Sequence, residues 1–226
     1  LNTVPTAVQR AGDFSSFGTT IYDPSSGDNT GKGRSAFPNN VIPTGLISPI
    51  ALKLQSLIPA PNLPGTVSNY FSSGLQALNR NNLDAKLDWN RAANHHLFFK
   101  YSIMLALVNC TFALGPAGGP GLCNGGPGNA PTRVQMPAIG HSIVLTPHLL
   151  LDQVFGFTRM GQHGTDGFYG QNIGLNLGIP GTNGPDPRQS GFPIFNITGY
   201  TSLGQTANWM PFWRHDQSWT TSHNMT

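Results

Sequence analysis

The most regular pattern of apolar and polar positions lies at residues 81–107, NNLDAKLDWNRAANHHLFFKYSIMLAL. Leu83, Ala85, Leu87 and Trp89 alternate with Asp84, Lys86 and Asp88. After a polar break, Leu97, Phe99, Tyr101 and Ile103 alternate with His96, Phe98, Lys100 and Ser102. Period-two alternation on both sides of a break predicts an antiparallel hairpin with one apolar and one polar face. The predicted strands are 82–89 and 96–106, joined by a turn at 90–95. A second hairpin is predicted over 134–159, with strands at 134–145 and 149–159 and a turn at Thr146-Pro147-His148. Leu149, Leu151, Phe155 and Phe157 share one of its faces, and Leu150, Asp152, Val154 and Thr158 the other; Gln153 interrupts the apolar one. A further strand is predicted over 208–220, NWMPFWRHDQSWT.

The intervening stretches lack this period. Residues 1–80 include YDPSSGDNTGKG, which is turn chemistry throughout. One short helix is predicted over 48–58. Ser48 stands at its cap and Pro49 at its first position, Ile50, Leu54, Leu57 and Ile58 share a face, and Pro59 and Pro61 end it. Eighty residues with one helix exceed an ordinary connection, so 1–80 reads as a large surface or functional loop region and 81–226 as the strand-bearing part. Residues 107–132 and 160–207 read as long Gly-, Pro- and Asn-rich loops.

Short turns therefore alternate with long loops. Outer-membrane barrels show this alternation, with turns on the periplasmic side and loops outside. The predicted strand lengths suit tilted membrane strands, which need about 9–11 residues. Trp89 lies beside the first turn, and Trp209, Phe212, Trp213 and Trp219 lie on the last predicted strand. Interfacial aromatic girdles have this character. Singly, each aromatic reads as core packing; together with the loop alternation they favour lipid. The fold class predicted is all-β: antiparallel hairpins forming part of a large transmembrane β-barrel, with long irregular outer loops and one short helix.

Composition narrows the alternatives. The 226 residues contain 28 glycines and 19 prolines, and only 9% are charged, against about 25% in a typical soluble domain. Aromatics make up 10% of the chain, which argues for ordered strands set in loops rather than for disorder. The net charge of +3 comes from few groups, and no Glu occurs. No basic run exists, so nucleic acid is not an expected partner. The longest unbroken apolar run, Ile103 to Val108, is far short of the roughly 20 residues of a membrane helix. A membrane-spanning role would fall to strands. The chain begins at Leu1 without a secretion signal and stops within TTSHNMT, and it reads as a fragment or processed piece. About five strands cannot close a barrel, so the isolated segment is expected to be poorly soluble or loosely packed.

Cys110 and Cys123 flank TFALGPAGGPGL. A disulfide closing this loop, and with it an oxidising compartment, is the preferred reading; two free thiols are the alternative. A zinc site would need two more ligands, and none is close in sequence. His95 and His96 point to opposite faces of a strand and make a poor metal pair. Asp84, Lys86 and Asp88, like Arg214 and Asp216, read as a solvated or ion-paired wall. TGKGRS at 30–35 lacks the spacing of a phosphate-binding loop, and no local Ser/His/Asp arrangement exists. Asn196-Ile197-Thr198 fits a glycosylation acceptor, a pattern common by chance. No catalytic, cofactor-binding or metal residues are predicted, no cofactor, and no enzymatic activity.

Several segments in order resemble one family. VPTAVQRAGDFSSF, then IYDP, then NNVIPTGLISPIALKLQSLIPAPN, is similar to the approach to the barrel in TonB-dependent receptors of the Oar-like kind. NNLDAKLDWNRAANHHLFFKYS, HSIVLTPHLLLDQVFGFTR and RHDQSWTTSHNMT resemble hairpins of that barrel. The motifs are individually loose, but their order is specific and spans nearly the whole chain. The resemblance implies an outer-membrane receptor with a plug domain, an energy-coupling box and a barrel of about 22 strands, of which this chain matches only the early barrel region. It implies uptake of a scarce solute of unknown identity. Its implied partners are outer-membrane lipid, the plug domain of the same protein and the TonB system. The alternatives are a secreted soluble β-sandwich that binds glycans, with Trp209 and Trp213 as stacking platforms, and a surface adhesion protein.

Overall fold

The computed structural model describes residues 1–123 and 125–226. Among them the chain forms strands β1 (Gln76–Ala92), β2 (His95–Cys110), β3 (Gly118–Gly119), β4 (Gly128–Thr146), β5 (Leu149–Gly164), β6 (Gly204–Gln205) and β7 (Phe212–Met225). Three α-helices, α1 (Ala7–Arg10), α2 (Pro49–Leu57) and α3 (Ile173–Leu177), accompany them. Two compact units result. One holds Leu75–Cys110, Pro127–Gly167 and Trp209–Thr226; the other holds Leu1–Gly74, Thr111–Gly126 and Phe168–Asn208.

The first unit is a five-stranded antiparallel sheet in the order β1-β2-β4-β5-β7. The sheet is not closed. Its ladders keep the predicted alternation: Leu87 pairs with Phe99, Phe99 with Ile139, Ile139 with Phe155, and Phe155 with Thr221. Because paired residues point to the same side, each such row lies on one face.

The strands run further than alternation predicts. The predicted 96–106 becomes His95–Cys110, and 134–145 becomes Gly128–Thr146. β4 extends through Pro131 and Pro137, although proline cannot donate to a ladder. Both prolines pair with β2, opposite Leu107 and Tyr101. The ladder to β5 skips them, running Thr132–Gln135 and resuming at Ala138. Each missing donor thus falls on the β5 side, where the ladder is already broken. The last strand begins at Phe212 rather than at 208. Pro211 follows a cis peptide bond, and Trp209 lies ahead of the strand with its ring 5.5 Å from that of Phe212. On the polar face Gly140 leaves room for Phe98, whose ring a Cβ there would strike.

The second unit is built from the long connections. They are irregular in secondary structure, as predicted, but they are packed. Val4, Leu54, Ile58, Leu114, Leu177 and Phe192 anchor a buried cluster drawn from this unit's own residues. α2 lies within one residue of its predicted bounds, and its predicted apolar face is the buried one: Leu54 and Ile58 are in the core and Ile50 and Leu57 pack against it. Ser48 occupies the cap position but its side chain makes no capping bond, contrary to expectation. The far end of α2 is satisfied instead by Arg10, whose guanidinium donates to the carbonyls of Gln55, Ile58 and Pro59 at 2.8, 3.1 and 2.7 Å. Arg10 is placed by α1, which a capping box between Thr6 and Gln9 starts. Asn69, fully buried, accepts from the Val4 amide and donates to the Val4 carbonyl, both at 2.9 Å. β3 and β6 pair in parallel through Gly118 and Gly204; a Cβ on Gly118 would collide with the Gly204 carbonyl.

Candidate membrane surface and solute cleft

Each face of the sheet has its own chemistry. On one, Leu83, Leu87, Leu97, Phe99, Ile103 and Leu105 cover β1 and β2 without a charge. Leu87 is 68% and Phe99 48% exposed, and Tyr101, Leu151 and Phe157 are half-buried; none of the five is sealed in an interior. The apolar run on β2 from Leu97 to Leu107 spans ten residue steps, roughly 33 Å at 3.3 Å per residue. Tilted by about 40°, that covers about 25 Å of height, the apolar band of an outer-membrane barrel.

On β4, β5 and β7 the band is narrower. Its upper row is Pro137, Phe157 and Trp219, in line with Tyr101. The rings of Phe157 and Trp219 lie 4.3 Å apart, and the Tyr101 hydroxyl accepts from Gln135 at 2.8 Å. Three aromatics thus share one row across the face, one of them holding a polar partner on the next strand. Nearer the turns, His141, Gln153 and His223 form a polar row across the band. They satisfy one another and their neighbours: Gln153 meets His223 at 3.2 Å and His141 meets His95 at 3.4 Å.

The opposite face carries the predicted wall. Lys86 and Asp88 pair at 2.9 Å, His96 joins Asp88 at 3.0 Å, Arg214 and Asp216 pair at 2.6 Å, and Ser102 donates to Asp84. His95 and His96 part to opposite faces, one toward His141 and the other toward Asp88. Exposed pairs of this sort contribute little stability; they keep a charged wall near neutrality.

The unit of connections holds a separate candidate, a cleft of about 180 Å³ lined by Val4, Phe14, Leu54, Ile58, Ile197 and Tyr200. The buried Tyr200 hydroxyl has no hydrogen-bond partner among the described residues. Burial pushes this phenol up from its ordinary value. Sequence reasoning did not find the cleft, because its walls come from segments nearly 200 residues apart.

The remaining positions named from the sequence have partners within the chain. Around TGKGRS, the amides of Thr30 and Lys32 donate to Asp28 at 2.8 and 2.9 Å. They are turned onto their own loop rather than left for a phosphate. The Asp28 carboxyl is held below its usual range by the Thr30 hydroxyl and then by the Lys32 amide. Asn196 accepts from Ser202 at 2.7 Å. Cys110 and Cys123 are both disulfide-bonded, and neither is free.

Long strands with one apolar face, in a single open layer with its connections sorted by length, are the form of a membrane barrel wall. The comparison with known families agrees: residues 1–226, the full chain, match the family described as outer membrane beta barrel domain. The chain belongs to this family. It is accordingly a protein of the bacterial outer membrane. Outer membrane beta barrel domains typically transport or build structure rather than catalyse. Searches of curated proteins and of solved structures find no match to this barrel domain.

Proposed function

We propose that this barrel domain is part of a TonB-dependent receptor of the Oar-like kind that takes up a scarce solute. The observation that carries the reading is the folded unit made from the long connections. A barrel that only anchors or filters has no need of a packed core in its loops, whereas a receptor needs a shaped surface outside the membrane. The cleft, which Tyr200 helps to line, gives that surface an apolar pocket of the kind that holds a small molecule. The resemblance in segment order supports the same reading.

In this reading the face of Leu87, Phe99 and Phe155 meets acyl chains, and the wall of Asp84, Lys86, Asp88, Arg214 and Asp216 lines the lumen. A plug domain and the energised inner-membrane complex supply the gating. A soluble sandwich is disfavoured because, among the described residues, the five long strands form one open sheet with no second sheet of comparable strands to pack on it.

The test is uptake by whole cells with and without the gene, using a ferric siderophore, a corrinoid, an oligosaccharide and a peptide as probes. Uptake of one class should fall when the gene is deleted, and should fall equally when an uncoupler removes the proton-motive force. Uptake that depends on the gene but survives the uncoupler would identify a passive pore and contradict the proposal.

A further inference from the structure

Just beyond the aromatic row, the apolar face becomes basic. Arg159 follows Phe157 by one position on the same face, and Arg133 and His215 stand one row further, on either side of Gly161. His163 follows in the next row. All four side chains are exposed. Gly161 supplies no side chain, and a Cβ there would meet only His215, at 3.7 Å. The result is a depression of about 440 Å³, lined by these four residues, Gln135 and an apolar wall at Leu105. Among the described residues no carboxylate pairs with Arg133 or Arg159. The sheet's acids stand otherwise: Asp84, Asp88, Asp152 and Asp216 all project from the opposite face. The positive charge is therefore uncompensated on the side where charge is least expected.

A second feature lies in line with it. Phe99, Pro137, Ile139, Phe155, Phe157 and Trp219 line an almost wholly apolar groove of about 230 Å³ on the same face. From the Pro137 row to the Arg133 row is four residue steps, about 13 Å along the strands. A basic hollow above an apolar groove matches an anionic amphiphile, with its head in the hollow and its chain in the groove. The end is also fixed by topology. The depression lies toward the strand ends that give rise to the long connections, the extracellular side of such barrels.

We propose that Arg133 and Arg159, with His163 and His215, bind the phosphate of an anionic glycolipid of the outer leaflet, and that the apolar groove seats one of its acyl chains. Guanidinium groups suit this task because they stay charged and chelate phosphate oxygens in a fork. The inference rests on the reading that the apolar face meets lipid.

The test uses the protein extracted from outer membranes in mild detergent, with native mass spectrometry counting retained glycolipid. Wild type should retain it, and Arg133→Gln/Arg159→Gln should retain about tenfold less. Arg80→Gln/Lys100→Gln, which removes the same charge from the opposite face, should behave as wild type. Reconstitution into phosphatidylcholine nanodiscs doped with lipid A, or with its dephosphorylated form, should show binding of the first alone. Inorganic phosphate at millimolar concentration should not displace it. Should the double variant fail to fold, release of lipid A from wild type as salt rises from 50 to 500 mM reads the same charge dependence. Equal retention by the double variant, equal binding of dephosphorylated lipid, displacement by inorganic phosphate, or salt-insensitive binding would each overturn the proposal. Quenching of tryptophan fluorescence by brominated acyl chains separates the two levels. Quenching with unchanged retention removes only the glycolipid site, whereas no quenching removes the lipid-facing reading itself.

Discussion

In the unit built from connections, Leu114 and Val4 are each 1% exposed, while in the sheet Leu87 is 68% and Trp219 65% exposed. Both regions are rich in large apolar side chains, yet only one of them forms a core. The regular region, with its long ladders, leaves its apolar side chains open; the irregular region, with three short α-helices and a two-residue parallel pair, buries its own. Regular secondary structure and a hydrophobic core are thus separable. The inner strands of the sheet satisfy their backbone through ladder hydrogen bonds, and the sheet can leave a face to an external apolar phase. The connections have few ladders and are held by side-chain packing and by polar groups such as Arg10 and Asn69 that take up stray backbone partners.

The contrast is broken most strongly from the core side. Leu114→Ala should destabilise the unit of connections by about 2–5 kcal/mol, because the buried site collapses only in part. Chemical denaturation of the detergent-solubilised protein, with protease susceptibility of residues 111–123 as a local probe, measures it. A loss below about 1 kcal/mol would mean that the unit has no cooperative core.

On the sheet the same kind of position should respond to polarity rather than to size. Leu87→Arg should cost about 1–2 kcal/mol in a bilayer, the penalty for a cation on a lipid-facing strand between the midplane and the interface. Lys86→Arg, one residue away on the other face, should stay within about 0.5 kcal/mol. Folding equilibria in lipid vesicles decide between these outcomes. Equal small effects at both positions would mean that water wets both faces.

The smallest effect is expected at Asp186. Its carboxyl is lowered to about 2 by the Arg188 side chain and then by the Arg188 amide. A depressed carboxylate lends stability above its unfolded value near 3.9 and loses it as pH falls through about 2. The group is only half-buried, so solvent screens the interaction. Asp186→Asn should leave the melting temperature at pH 7 unchanged within error, while NMR titration of wild type should show the carboxyl ionised down to about pH 2. A titration midpoint near 4 would show that the Arg188 contact does not persist in solution.

The strands, their pairing within each hairpin, the short turns and α2 were legible because local periodicity encodes them. Strand length was not. Alternation ends near Ile103 and Val134, but β2 and β4 continue through Asn109, Asn129 and Pro131, where ladder bonds rather than side chains keep the strand going. Trp209 looked like part of a strand and is not, since Pro211 intervenes. The core of the connections was illegible for a different reason: Val4, Leu54, Leu114, Leu177 and Phe192 follow no period and meet only through tertiary folding. The basic hollow had a signal that went unused. Arg133 and Arg159 stand at positions whose parity makes them apolar-face residues, and a charge at such a position marks where the band stops.

The claim on which the rest depends is that the apolar face is covered by acyl chains. Spin labels at Leu87→Cys, Phe99→Cys and Ile139→Cys, and at Lys86→Cys, Phe98→Cys and Ala138→Cys on the other face, test it most directly in the bilayer-reconstituted protein. Power saturation should give a strict alternation: oxygen-accessible and nickel-inaccessible at 87, 99 and 139, and the reverse at 86, 98 and 138. Labels at 87, 99 and 139 that either reagent reaches equally, or that neither reaches, would contradict it.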